Sequence, residues 1–102
     1  MKLFVQVTFD LEDAQKPDYL AVESWLNSIG LKRTIDGPDG LQVRLPSNTF
    51  AGVRDYSTAA DAIESVKKQF EMAACYKFCH GRAFISASPA ETAKYGAHQF
   101  GL

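Results

Sequence analysis

The sequence predicts an α+β fold, in which a β-α-β-β-α-β chain forms a four-stranded antiparallel sheet with both helices on one face. Three observations carry this. The first nine residues alternate apolar and polar with period two. Two later segments repeat their apolar residues at steps of three and four, each with a start signal and a stop signal. Between and after them lie short alternating runs cut by Gly, Pro and Asn.

Leu3, Val5, Val7 and Phe9 alternate with Lys2, Phe4, Gln6 and Thr8, a strand pattern. Phe4 makes both faces partly apolar, as in a central strand, and Asp10 closes the run. Pro17 and Asp18 suit the first turn of a helix, because Pro fits there and a carboxylate faces the positive helix end. Tyr19, Val22, Leu26 and Ile29 mark the buried face of that helix, over 17–29, with Trp25 beside it. Gly30 supplies the left-handed stop and Leu31 the hydrophobic contact after it.

Residues 31–35 read as the second strand, and Asp36-Gly37-Pro38-Asp39-Gly40 as a turn. Leu41, Val43 and Leu45 form a short returning arm that Pro46-Ser47-Asn48 breaks. Residues 49–55 are strand-like, with Gly52 marking a bulge or a close backbone approach. Ser57 or Thr58 caps the second helix, with Asp61 or Glu64 in its first turn. Ala60, Ile63, Val66, Phe70 and Ala73 or Ala74 mark its buried face. Residues 78–87 read as the last main strand. Ser88-Pro89-Ala90-Glu91 then reads as a capping box opening a helix of one to two turns that runs to Tyr95 and stops at Gly96. With right-handed crossovers this order is the ferredoxin-like arrangement. It implies one domain over 1–102, with a core in 1–88 and a capped helix and tail in 89–102.

Composition excludes several function classes. The 102 residues carry 11 Lys+Arg against 12 Asp+Glu, a net charge of −1, which argues against a strongly basic nucleic-acid coater. With 46% hydrophobic and 23% charged residues, the chain is of ordinary globular type. No apolar run approaches a membrane span, and the start does not read as a signal peptide. The cysteines are only two, Cys75 and Cys79, which fits a reduced, cytoplasmic protein better than a disulfide scaffold.

Chemistry-bearing residues are few. Cys75, Cys79 and His80 form a Cys-x3-Cys-His cluster of metal-ligating types, one short of a structural zinc site, with His98 as the only other histidine. The bland alternative is two small buried hydrophobes beside an exposed His. Residues 80–85 partly mimic the RNA-recognition-motif signature, but Arg82 stands at the first stacking position and Ala87 at the last. That places Phe84 in the core of an ordinary strand. Lys32, Arg33, Arg44, Arg54 and Arg82 lie on strands and form a phosphate-binding patch if they share the helix-free face. Otherwise they are scattered solvated charge. Asp10, at a strand end, suits a divalent ion or a positioning role. No Gly-rich phosphate loop, nucleophile elbow or zinc-protease motif is present, and no organic cofactor is implied.

Gly30-Leu31-Lys32-Arg33-Thr34-Ile35, Asp39-Gly40-Leu41 and Leu45-Pro46-Ser47-Asn48-Thr49-Phe50-Ala51 together resemble the GhoS-like family. Its members are type V toxin–antitoxin antitoxins and small relatives, many borne on mobile elements. Val5-Gln6-Val7-Thr8-Phe9-Asp10 fits the family's first strand. The resemblance covers most of the chain. It implies a ferredoxin-like fold and an endoribonuclease acting on the messenger of a small membrane toxin. The first-helix arginines of that pattern are not matched by Ala21-Val22-Glu23-Ser24, so Arg33, Arg44 and His80 stand as substitutes.

Three readings follow. The first is a GhoS-like protein that binds RNA and cleaves it, with Lys32, Arg33, Arg44, Arg54 and Arg82 on phosphates, His80 moving a proton and Asp10 positioning a metal or group. The second is a non-catalytic phage or mobile-element protein that inhibits a host defence complex. The third is a dimeric α+β-barrel enzyme with a small-molecule pocket near Trp25, Tyr19 and the histidines. The partner is RNA or protein rather than a membrane, and an exposed edge strand or the C-terminal tail suits a homodimer.

Overall fold

A computed structural model describes residues 1–12, 15–36, 42–75 and 80–94, the side chains of 73–75 and 80 apart. Its elements are β1 (Lys2–Glu12), α1 (Lys16–Ser28), β2 (Thr34–Asp36), β3 (Gln42–Arg44), β4 (Thr49–Asp55), α2 (Ala59–Cys75) and β5 (His80–Pro89). The fold is α+β, with two helices and antiparallel strand pairing.

β1 is the centre. It pairs antiparallel with β4 from Lys2↔Asp55 to Thr8↔Thr49, and with β5 from Leu3↔Pro89 to Glu12↔His80. The strand order is β4-β1-β5. β4 and β5 therefore run parallel to each other, with α2 as their crossover. Leu3, Val5, Val7, Phe9 and Leu11 are all buried, and Val22 and Leu26 of α1 join Ala62, Val66 and Phe70 of α2 in the same cluster. Both helices thus cover one face of β1, as the period-two pattern requires.

The predicted four-stranded sheet is corrected in one respect. The five strands form two sheets, and β2 and β3 make a separate two-stranded hairpin. A single bridge joins them to the main sheet, where Lys32 and Ala51 exchange both backbone hydrogen bonds at 2.9 Å. The chain bends at Arg33 immediately afterwards. Residues 34–36 then pair with 42–44 instead of continuing along β4. At the bend, the Arg33 guanidinium reaches back to Glu23 of α1 at 3.4 Å and lies 5.9 Å from the Phe50 ring centroid, on the helix side. The turn foreseen at 36–40 lies largely outside the described residues, but the hairpin around it is present.

Local signals account for the element ends. At the close of α1, Gly30 has φ +89°, its N–H donates to the Asn27 carbonyl, and the Leu31 N–H donates to the Leu26 carbonyl at 3.0 Å. That is a Schellman cap, with Leu31 fully buried beneath it. At the start of α1 the Asp18 carboxylate accepts the Gln15 N–H at 2.9 Å. Thr58 caps α2, its Oγ1 accepting the Asp61 N–H at 3.0 Å. Thr58→Ala is expected to lower stability by about 1 kcal/mol. Urea denaturation measures this, and an unchanged midpoint would show that the cap is dispensable.

Two further expectations are amended. The buried face of α2 runs through Ala62, Val66 and Phe70, at steps of four, so Ala60 is exposed and Ile63 sits at its margin. At the C-terminal side, Ser88 and Pro89 stay in β5, paired with Phe4 and Leu3. Among the described residues one turn follows, in which the Thr92 and Ala93 N–H groups donate to the Pro89 carbonyl. Ladder pairing with β1 outcompetes the capping box that the same residues spell. The part of the expected helix and tail from 95 onward lies outside the described residues. Among the described residues, no helix is long and apolar enough to cross a membrane.

Candidate functional site on the second sheet face

The face of the sheet turned away from the helices is set by alternation. Phe4, Gln6, Thr8 and Asp10 of β1 point there, and cross-strand partners share a face. Gln6 is therefore flanked by Ala51 and Ser86, Thr8 by Thr49 and Phe84, and Asp10 by Arg82. The Thr8 and Thr49 hydroxyls are 3.2 Å apart, which confirms the shared side.

This face is only partly open. Thr49 and Ala51 are 6% and 4% exposed although no helix covers them. The β2–β3 hairpin overhangs them and encloses a cavity of about 340 Å³ lined by Phe4, Gln6, Thr8, Ile35, Leu45, Pro46, Thr49 and Ala51. A second hollow of about 330 Å³ adjoins it, with Lys32, Thr34 and Gln42 among its lining. On the β5 side Phe84 is 67% exposed. The expectation that Phe84 lies in the core is thus overturned. The signal was in the sequence: Ile85 and Ala87 alternate against Arg82, Phe84, Ser86 and Ser88, and only the first set contacts the core.

The five basic residues do not form one cluster. Lys32 is exposed at the bridge and shares the second face with Ala51. Arg44 is exposed on the hairpin across from Thr34. Arg82 is exposed across from Asp10. Arg33 and Arg54 face the helix layer instead. Arg33 is ion-paired to Glu23, both side chains being about a quarter exposed. Arg54 lies opposite Leu3, with its guanidinium 5.2 Å from the Tyr56 ring centroid. Its buried Nη1 and the Tyr56 hydroxyl have no hydrogen-bond partner among the described residues. Strand spacing puts Lys32 and Arg82 roughly 20 Å apart.

Of the residues considered for catalysis, Asp10 is exposed at the far end of β1, and the His80 backbone pairs opposite Glu12. Asp10, Glu12 and Arg82 therefore gather at one end of the face, with the His80 main chain. Cys75 ends α2, while the side chains of Cys75 and His80 and all of Cys79 and His98 lie outside what is described. Among the described residues no group of three His, Cys, Asp or Glu is placed to hold a metal ion. Tyr19 and Trp25, considered for a small-molecule pocket, are engaged in the core. The Tyr19 hydroxyl donates to the Leu11 carbonyl at 3.0 Å and accepts the Leu11 N–H at 3.1 Å. Trp25 meets Phe70 edge-on at 6.4 Å.

Compared with known proteins, the chain matches no family model and no curated protein.

Proposed function

We propose that this protein is a GhoS-like RNA-binding module in the ferredoxin-like arrangement, and that its second sheet face takes single-stranded RNA. The observation that supports this is Phe84 standing exposed beside Arg82 on that face, with Lys32 at its other side and Arg44 exposed on the hairpin. Single-stranded RNA is held by base stacking on aromatic rings and by cations along its backbone. A strand crossing from Arg82 to Lys32 passes over Phe84 and the hairpin cavity. The strand-order argument for the ferredoxin-like arrangement is that β4, α2 and β5 form a split crossover around β1, and that Lys32 adds the chain of residue 32 to the outer side of β4.

Cleavage, in this reading, belongs to the end of the face where Asp10 adjoins Arg82. A carboxylate there serves as base or metal ligand, and the guanidinium neutralises a phosphate oxygen. Charge sets the scale of binding. Lys2, Lys32 and Arg82 are offset by Asp10, Glu12 and Asp55, so the interface is a short one rather than a long basic track.

A gel-shift or anisotropy titration with single-stranded RNA tests the proposal. Lys32→Ala with Arg44→Ala is expected to reduce the slope of log K against log salt by about 1.4, since each phosphate contact adds ~0.7 on single strands. Phe84→Ala is expected to cost about 1–3 kcal/mol of binding through lost stacking. Arg33→Ala, which breaks the Glu23 pair, is expected to leave that slope unchanged. No shift with any RNA would sink the proposal.

The same charge balance favours a second reading, a protein-docking module such as an inhibitor of a host defence complex. Val53, 53% exposed on the same face, adds apolar surface that a protein partner would cover. Co-purification of a stoichiometric protein from the native host, without RNA, would select this reading.

A further inference from the structure

We propose that the cavity under the β2–β3 hairpin is a pocket for a single nucleobase, with Gln6 reading the hydrogen-bonding edge of the base. The inference rests on the RNA reading above and gives it a specificity element.

Gln6 sits in the middle of β1, and its neighbours on both adjacent strands are small, Ala51 on β4 and Ser86 on β5. A long amide side chain between two short ones leaves a trough above it. Ile35, Leu45 and Pro46 of the hairpin line the other side of that trough, giving apolar walls. Thr8 and Thr49 add two hydroxyls next to the amide.

The chemistry of the lining selects the ligand class. A primary amide carries a donor and an acceptor side by side, and nucleobase edges present the complementary pair. Aliphatic walls suit the faces of a flat ring. Among the described residues, no charged side chain lines this cavity, and its lining is aliphatic, aromatic, hydroxyl and amide. The adjoining hollow is lined by both Lys32 and Asp36, so it offers one cation to a phosphate but no net positive charge. At about 340 Å³ the space falls at the small end of ligand sites, enough for one base and not for a dinucleotide. Among the described residues, no hydrogen bond of the Gln6 amide competes with this role.

The test compares wild type with Gln6→Leu, which removes the amide, and Gln6→Met, which keeps the length of the side chain without the amide donor or acceptor and adds no charge. Each is titrated with eight-nucleotide homopolymers of A, C, G and U and with an abasic oligomer of the same length. Wild type is expected to prefer one of the four bases over the other three by about tenfold. Both variants are expected to lose that preference while binding the abasic strand as wild type does. Thermal melting identifies any variant that fails to fold, in which case the other decides. Equal base preference in wild type and in both variants would overturn the pocket and leave the RNA reading standing. The four nucleoside 5′-monophosphates, titrated into ¹⁵N-labelled protein, separate the two claims. Shifts at the Gln6 side-chain amide without any RNA binding would keep the pocket and discard the RNA reading. Neither RNA binding nor amide shifts would discard both.

Discussion

Phe9→Ala is expected to destabilise the protein by about 3–5 kcal/mol, the range for emptying a large buried aromatic site. Phe9 is 2% exposed and stands where β1 meets both helices. Its ring centroid lies 6.0 Å from Tyr19, 6.0 Å from Phe50 and 5.3 Å from Phe70. These three belong to α1, β4 and α2, so one side chain ties the sheet to both helices. A domain of this size has a total stability of roughly 5–15 kcal/mol, and the loss would bring it near unfolding at room temperature. Guanidinium denaturation measures the effect. The exposed Leu20→Ala serves as a surface control, expected to stay within about 0.5 kcal/mol. A Phe9→Ala loss no larger than that control would show that the four rings are not the packed centre.

Gly52→Ala is the second large effect, and here two terms oppose each other. Alanine restricts the unfolded chain more than glycine does, which stabilises by about 0.4–1 kcal/mol where the site can accept a Cβ. At Gly52 it cannot. A Cβ built there falls inside contact distance of the Gly30 backbone carbonyl, a group fixed by the cap at the end of α1. Forcing the two backbones apart costs about 1–3 kcal/mol or more, so the steric term wins. It also strains the Lys32–Ala51 bridge one residue away, which joins the hairpin segment to β4. A fall in Tm of several degrees is expected, at about 4–8 °C per kcal/mol for a domain of this length. An unchanged or raised Tm would refute the close approach. If the hairpin loosens as well, nucleobase binding should weaken in the same variant.

Much of the fold was legible because its signals are local. The alternation of Leu3 to Phe9, the glycine after Ile29, and Thr58 before the second helix each act within a few residues, and each does what its chemistry predicts. Gly52 was legible as a close approach, although its neighbour, the Gly30 carbonyl, was not. The errors have a common origin. Ser88-Pro89-Ala90-Glu91 spells a helix start, yet the partner strand β1 is long enough to hold Ser88 and Pro89 in the ladder. Residues 31–35 spell one continuous strand, yet the chain bends at Arg33, whose guanidinium pairs with Glu23 ten residues earlier.

The candidate site was less legible. Alternation alone separates Arg33 from Lys32, but residue type and strand position do not give the face of the other basic residues. Arg54 pairs opposite Leu3 and Arg33 follows the bend, so both go to the helix side, while Lys32, Arg44 and Arg82 stay exposed. Gln6, Thr8 and Thr49 drew no notice because polar residues on an alternating strand are ordinary. Only the overhang of the hairpin turns them into the lining of a cavity.

By itself the sequence determined the α+β class, the two helices with the caps at the end of α1 and the start of α2, and which side of β1 is buried. These depend on periodicity and on contacts within one or two turns of chain. The tertiary structure alone decided that the second strand breaks into a hairpin, that this segment closes a cavity with Gln6, Thr8, Thr49 and Ala51, and that Phe84 stands open on the same face. Those outcomes depend on pairs far apart in the chain: Lys32 with Ala51, Thr8 with Thr49, Asp10 with Arg82. Whether such a pair meets depends on register and on the bend at Arg33, which local propensity does not encode.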